Sequence, residues 1–196
     1  MADRLGVKAV ARLPILDYVQ VRDRLCTGDI VFCSGTYVFS KAIRWFTRSV
    51  WSHVGIIYRD DNLQRIFVLE SETAIGVRLV PLSKYLRDYH GRNKPYKGRI
   101  VITRVTPAPD DEKLKTAISF GIDELTRPYD NWEICRIAMR ILFRRGRKHR
   151  DRKYICSELV CEAFRKAEVS FKFHRNSISP DDIWNDERVL MQFRIM

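Results

Sequence analysis

Apolar residues along this chain follow first a two-residue and then a three-to-four-residue rhythm, which divides it into a strand-rich half and a helical half. Pro14 to Arg24 carries Ile15, Leu16 and Val19 at helical spacing and predicts a short helix. Thr27-Gly28-Asp29 has turn chemistry and precedes the strand-like Ile30 to Cys33. Tyr37 to Thr47 reads as an amphipathic helix, with Val38, Ala42 and Phe46 on one face. Three apolar runs follow: Val54 to Tyr58, Ile66 to Leu69, and Gly76 to Val80. The turn at Asp60-Asp61-Asn62 joins the first two as an antiparallel hairpin. Leu82 to Tyr89 predicts a helix, and Arg99 to Val105 a further strand.

From Asp110 the pattern turns helical. Asp110 to Leu125 opens on acidic residues, which suit a helix N-terminus. Asn131 to Phe143 repeats Ile134, Ile137, Ala138, Ile141 and Leu142 at helical spacing, and Cys156 to Ala167 does the same with Leu159, Val160, Ala163 and Phe164. Ser179 and Pro180 are suited to the N-cap and first position of a last helix. A strand block followed by helices, instead of alternating units, implies an α+β protein.

Composition adds limits. The 196 residues suit one domain, spanning 1–196, and 45% hydrophobic content is enough for an ordinary core. No apolar run approaches the roughly 18 residues of a membrane-spanning helix. The five cysteines are an odd number, no leader-like apolar segment precedes them, and their spacings suit neither a disulfide framework nor a zinc site. Reduced thiols and a cytoplasmic setting follow. The net charge of +12 draws anionic partners without specifying any chemistry.

Three residues stand out chemically. Cys156 begins a helix, where the macrodipole and free N–H groups favour a thiolate and can hold an oxyanion. The alternative is a small buried core thiol. His53 enters an apolar strand; His90 and His149 lie in polar stretches and His174 in a tail segment. Glu70 ends the partner strand of the hairpin, which brings it near His53. Glu72 falls on the same sheet face, so alternation does not separate the two acids.

The ordered set Gly28-Asp29-Ile30-Val31-Phe32, Ser52-His53-Val54-Gly55-Ile56, Leu69-Glu70 with Gly76-Val77, Pro128-Tyr129-Asp130 and Tyr154-Ile155-Cys156-Ser157-Glu158-Leu159-Val160 resembles the circularly permuted NlpC-type cysteine hydrolases. Within these it is most similar to the YiiX/YebB-like and YaeF-like amidase group, over roughly residues 25 to 185. The histidine-first, cysteine-last order is the mark of the permutation. The resemblance implies a permuted papain-like fold, an antiparallel sheet packed against helices, with the cysteine helix facing the sheet. It implies Cys156 as nucleophile, His53 as base and Glu70, not Glu72, as the third catalytic residue. Asp29 and Tyr129 match recurring positions without an assigned role. The implied activity is cleavage of an amide or ester through a thioester, with no metal or organic cofactor. Similar proteins act on peptides, and more distant ones are lipid acyltransferases or phospholipases.

The family pattern does not account for the basic stretch within Arg136 to Lys153, densest at about 144–153, where Asp151 is the one acid after Arg144. It is either a solvated loop or an electrostatic funnel for an anionic peptide, amide or lipid-like substrate, with peripheral membrane contact left open. Few aromatic residues flank it, which argues against a nucleic-acid partner. A non-catalytic basic binding protein on the same scaffold is the remaining alternative.

Overall fold

The strand predicted at Ile30 becomes the centre of the sheet, because every position from Ile30 to Gly35 is buried. The computed structural model describes residues 10–37, 40–41, 44–45, 49–72, 75–125, 155–172 and 178–196. The helix expected at 131–143, the Pro128-Tyr129-Asp130 motif, Tyr154, Cys135, His149, His174 and the basic stretch lie outside the described residues, as do Val38, Ala42 and Phe46.

Seven strands are described: β1 (Ile15–Leu16), β2 (Ile30–Gly35), β3 (His53–Asp60), β4 (Arg65–Glu72), β5 (Gly76–Pro81), β6 (Gly98–Val105) and β7 (Val189–Ile195). They form one sheet in the order β1-β7-β6-β2-β3-β4-β5, antiparallel throughout except for the β1–β7 edge pair. The helices are α1 (Tyr18–Val21), α2 (Leu82–Arg87), α3 (Asp111–Asp123), α4 (Cys156–Lys166) and α5 (Pro180–Trp184).

Alternation along the strands gives the sheet two apolar faces. On one, Ile30, Phe32, Val54, Ile56 and Leu69 meet Ala117 and Ile118 of α3 and Leu159, Val160, Ala163 and Phe164 of α4. On the other, Val31, Cys33, Ile57 and Val68 meet Leu82 and Tyr85 of α2 together with Tyr96. α4 therefore lies across β3 and β4, next to α3.

Two expectations need correction. Pro14 to Arg24 is not one helix: Ile15 and Leu16 pair in parallel with Arg194 and Ile195, and only Tyr18–Val21 is helical before a 3-10 turn at Arg22–Arg24. Asp17 caps that helix, accepting from the Val19 N–H at 2.7 Å, so the helix cannot extend back to Pro14. The helix begun at Leu82 stops at Arg87, where Asp88 leaves helical geometry and His90 turns to a φ of 57°. β7 was not expected from the sequence. Among the described residues no helix is long and apolar enough to cross a membrane.

Candidate active site

The β3–β4 hairpin forms as the alternation requires, with Ile56 opposite Leu69 and Tyr58 opposite Phe67. Its open end carries His53 as the first residue of β3 and Glu70 near the end of β4. Nε2 of His53 lies 2.6 Å from Oε2 of Glu70. The Cys156 side chain is the imidazole's other polar neighbour, close enough to raise the ring's affinity for its proton. With Nε2 engaged by Glu70, Nδ1 is the nitrogen left for the sulfur. The structure thus brings together Cys156, His53 and Glu70, residues drawn from α4, β3 and β4.

Cys156 is the first residue of α4, preceded by Ile155 at the N-cap. An isoleucine offers no side-chain acceptor, so the first-turn N–H groups keep their hydrogen-bonding capacity. The Ile155 N–H is taken by Glu158 Oε2 at 3.3 Å, and Ser157 donates from its hydroxyl to the Ile178 carbonyl at 2.8 Å. The first bond closes the helix start, and the second ties it to the segment that leads into α5. Cys156 itself stays partly accessible.

Glu70 is completely buried, and His53 keeps 19% of its side chain exposed. Burial would push the carboxyl up, but the charge and hydrogen bond of His53, the Arg78 guanidinium and the Tyr85 hydroxyl hold it down at about 2. Burial would likewise lower the imidazole, yet the facing carboxylate, the Cys156 side chain and the bond to Glu70 push it up to about 10. At neutral pH the pair is therefore carboxylate and imidazolium.

Glu72, the competing acid, is not the partner of His53, and its Oε2 is buried without a hydrogen bond among the described residues. Cys33 is the register partner of His53, but burial and the neighbouring Glu70 and Cys156 push its thiol well above the usual range. It is held protonated inside the second core. His90 is exposed at the turn after α2. Asp29 lies toward the other end of the sheet, gripped by Arg104 at 2.6 and 2.9 Å and accepting from the Cys26 N–H at 2.9 Å. It braces the turn before β2. A cleft at that end, lined by Cys26, Arg59, Arg104, Leu114 and Ile118, includes none of the three residues.

Residues 24–192 match the family of permuted papain-like amidase enzymes, YaeF/YiiX, designated C92. The chain belongs to that family. As a permuted papain-like amidase it is a cysteine-type hydrolase, of the amidase or peptidase kind. Its fold is similar to that of a solved structure described as the metalloprotein YiiX from Escherichia coli O157:H7, with a TM-score of 0.61 and 18% identity, over 85% of this chain and 95% of that one. No curated protein sequence matches the chain. Among the described residues, no three His, Cys, Asp or Glu side chains gather as a metal site.

Two residues of this candidate site were missed by sequence reasoning. Arg78 contacts Glu70 Oε1 through Nε at 2.7 Å and Nη2 at 2.6 Å, and Tyr85 donates its hydroxyl to Oε2. A signal for Arg78 existed: it is the one cation between Val77 and Leu79, and folding β5 back on β4 across the short 73–75 connection sets it opposite Glu70. Tyr85 left no such trace.

Proposed function

We propose that this amidase works by covalent catalysis, with Cys156 as nucleophile, His53 as proton carrier and Glu70 as the group that orients the imidazole. The Cys156 thiolate adds to the carbonyl carbon of an amide or ester, forming a carbon–sulfur bond and a tetrahedral oxyanion. The Cys156 N–H, free of a side-chain cap, can donate to that oxyanion. The imidazolium gives its proton to the leaving nitrogen or oxygen as the carbon–heteroatom bond breaks, which leaves a thioester. Neutral His53 then takes a proton from water, the hydroxide adds to the thioester, and the acid product departs as the sulfur is released.

One observation carries this reading: His53 is bonded to Glu70 and has the Cys156 side chain as its other polar neighbour. Glu70 fixes the ring and stabilises its charged form, as the acid of a hydrolytic triad does. A reducing, cytoplasmic setting suits a site that works through a free thiol.

The substrate is proposed as an anionic peptide, amide or lipid-like molecule, on the strength of the +12 charge and the basic stretch before the nucleophile. Pelleting with acidic vesicles, set beside binding to acidic peptides, separates lipid from peptide chemistry. The test of the reaction is hydrolysis across amide, ester and thioester substrates. Cys156→Ala and His53→Ala should each lower the rate on the order of a thousandfold or more. Undiminished hydrolysis in folded variants would sink the assignment.

A further inference from the structure

Glu70 divides its two oxygens between two sides of the site. Oε2 accepts from His53 Nε2 and from the Tyr85 hydroxyl, while Oε1 accepts from Nε and Nη2 of Arg78. The backbone builds this in: Arg78 is the register partner of Glu70, on the edge strand β5. Directly paired residues share a sheet face at close range, so no loop is needed to deliver the cation. The Arg78 side chain is only 17% exposed and the Glu70 side chain 0%. Water screens this contact little.

The geometry points to Arg78 as a positioning residue of the catalytic centre: holding Oε1 through two N–H groups, it keeps Glu70 ionised and turned so that Oε2 stays on the His53 ring. This rests on the reading of Cys156 and His53 as the catalytic pair. A planar guanidinium suits the role better than an ammonium, because two N–H groups on one oxygen fix a direction as well as a charge.

The groups around Glu70 bear this out. From β3 it faces His53, from β5 Arg78, from α2 Tyr85, from the following turn Tyr89 and His90, and from β2 Cys33; Glu72 lies on its own strand and Cys156 beyond the ring. Burial and Glu70 itself push Tyr85, Tyr89 and Cys33 up, so these stay neutral. Burial and Arg78 push His90 down. Charge balance at the carboxylate therefore falls to His53 and Arg78. Without the Arg78 charge, Glu70 accepts a proton at higher pH. His53, facing a carboxylate that is free to turn away from the ring, gives up its proton at lower pH.

The experiment measures the rate of Cys156 alkylation by iodoacetamide against pH, followed by mass spectrometry of the Cys156 peptide in the full chain, with thermal unfolding as the check on folding. In Arg78→Met the inflection set by His53 should move down by roughly a unit, and Arg78→Lys should recover much of the shift. Arg78→Gln keeps a donor and most of the volume without the charge, serves where the methionine variant does not fold, and should shift the same way. A folded neutral variant whose profile overlays the wild type, or a lysine variant no better than methionine, overturns the proposal. A wild-type profile that His53→Ala leaves unchanged instead overturns the catalytic pair on which it rests.

Discussion

His53 and Glu70 meet diagonally across the hairpin instead of face to face. The register that pairs Ile56 with Leu69 places Gly55, not His53, beside Glu70. A Cβ on Gly55 would stand 2.7 Å from Val68 Cγ1, 3.0 Å from the Leu69 carbonyl oxygen and 3.3 Å from Glu70 Cβ. The missing side chain leaves the sheet face open, and through that opening the imidazole reaches the carboxylate.

Gly55→Ala should therefore damage both stability and the site. Overpacking of this kind costs about 1–3 kcal/mol, read as a lower urea midpoint at unchanged slope. Because the added methyl group presses on Glu70, Cys156 alkylation should also lose its wild-type pH profile. A variant that is destabilised but keeps that profile would show that the opening matters only for packing.

The buried ion pair makes stability depend on pH in a defined window. Glu70 sits below its ordinary 4.5, so its contribution is present above that value and is lost as pH falls towards about 2. His53 sits above its ordinary 6.5, so its contribution is full below that value and is lost as pH rises towards about 10. The margin of wild type over Glu70→Gln should thus be greatest between about 4.5 and 6.5 and shrink on either side. Removing one partner of a buried pair costs about 3–5 kcal/mol, and urea titrations at several pH values measure it.

Hydrolysis should fail on the alkaline side as His53 loses its proton, since the leaving group then has no acid. That limb belongs near pH 10, where the imidazole titrates in the folded protein. A rate profile of wild type on an amide substrate checks it; a limb near the free-imidazole value would show that Glu70 does not govern the ring.

Asp29→Asn should separate scaffold from chemistry. The Asp29–Arg104 pair lies near Ile57, whose backbone bonds to Gly28 and Asp29, well along β3 from His53. Losing a charged hydrogen-bonded partner there costs about 1–3 kcal/mol, tempered because Arg104 is partly exposed. The Cys156 alkylation profile should not move.

Much of this arrangement is legible in the residues themselves. Val54 to Tyr58 and Ile66 to Leu69 alternate around an acidic turn, and that local pattern already places Glu70 near His53. The cysteine helix announces itself through Leu159, Val160, Ala163 and Phe164. Alternation put Glu70 and Glu72 on one face and could not rank them; the resemblance to the amidase family favoured Glu70, which is the acid bonded to His53. Long-range pairing was hidden. Ile15 and Leu16 become a strand only because Arg194 and Ile195 lie alongside them, and β7 reaches β6 through a register shift between Ile102 and Thr103. Tyr85 was invisible for a similar reason, since nothing local says that a helical tyrosine ends on a carboxylate from β4.

The Cys156 sulfur comes from a late helix, while the ring and carboxylate beside it come from an early hairpin. During synthesis the hairpin emerges well before Cys156, so on the proposed mechanism an unfinished chain lacks the thiol that cuts. Reactivity at that sulfur is then a direct gauge of whether the late helix has docked.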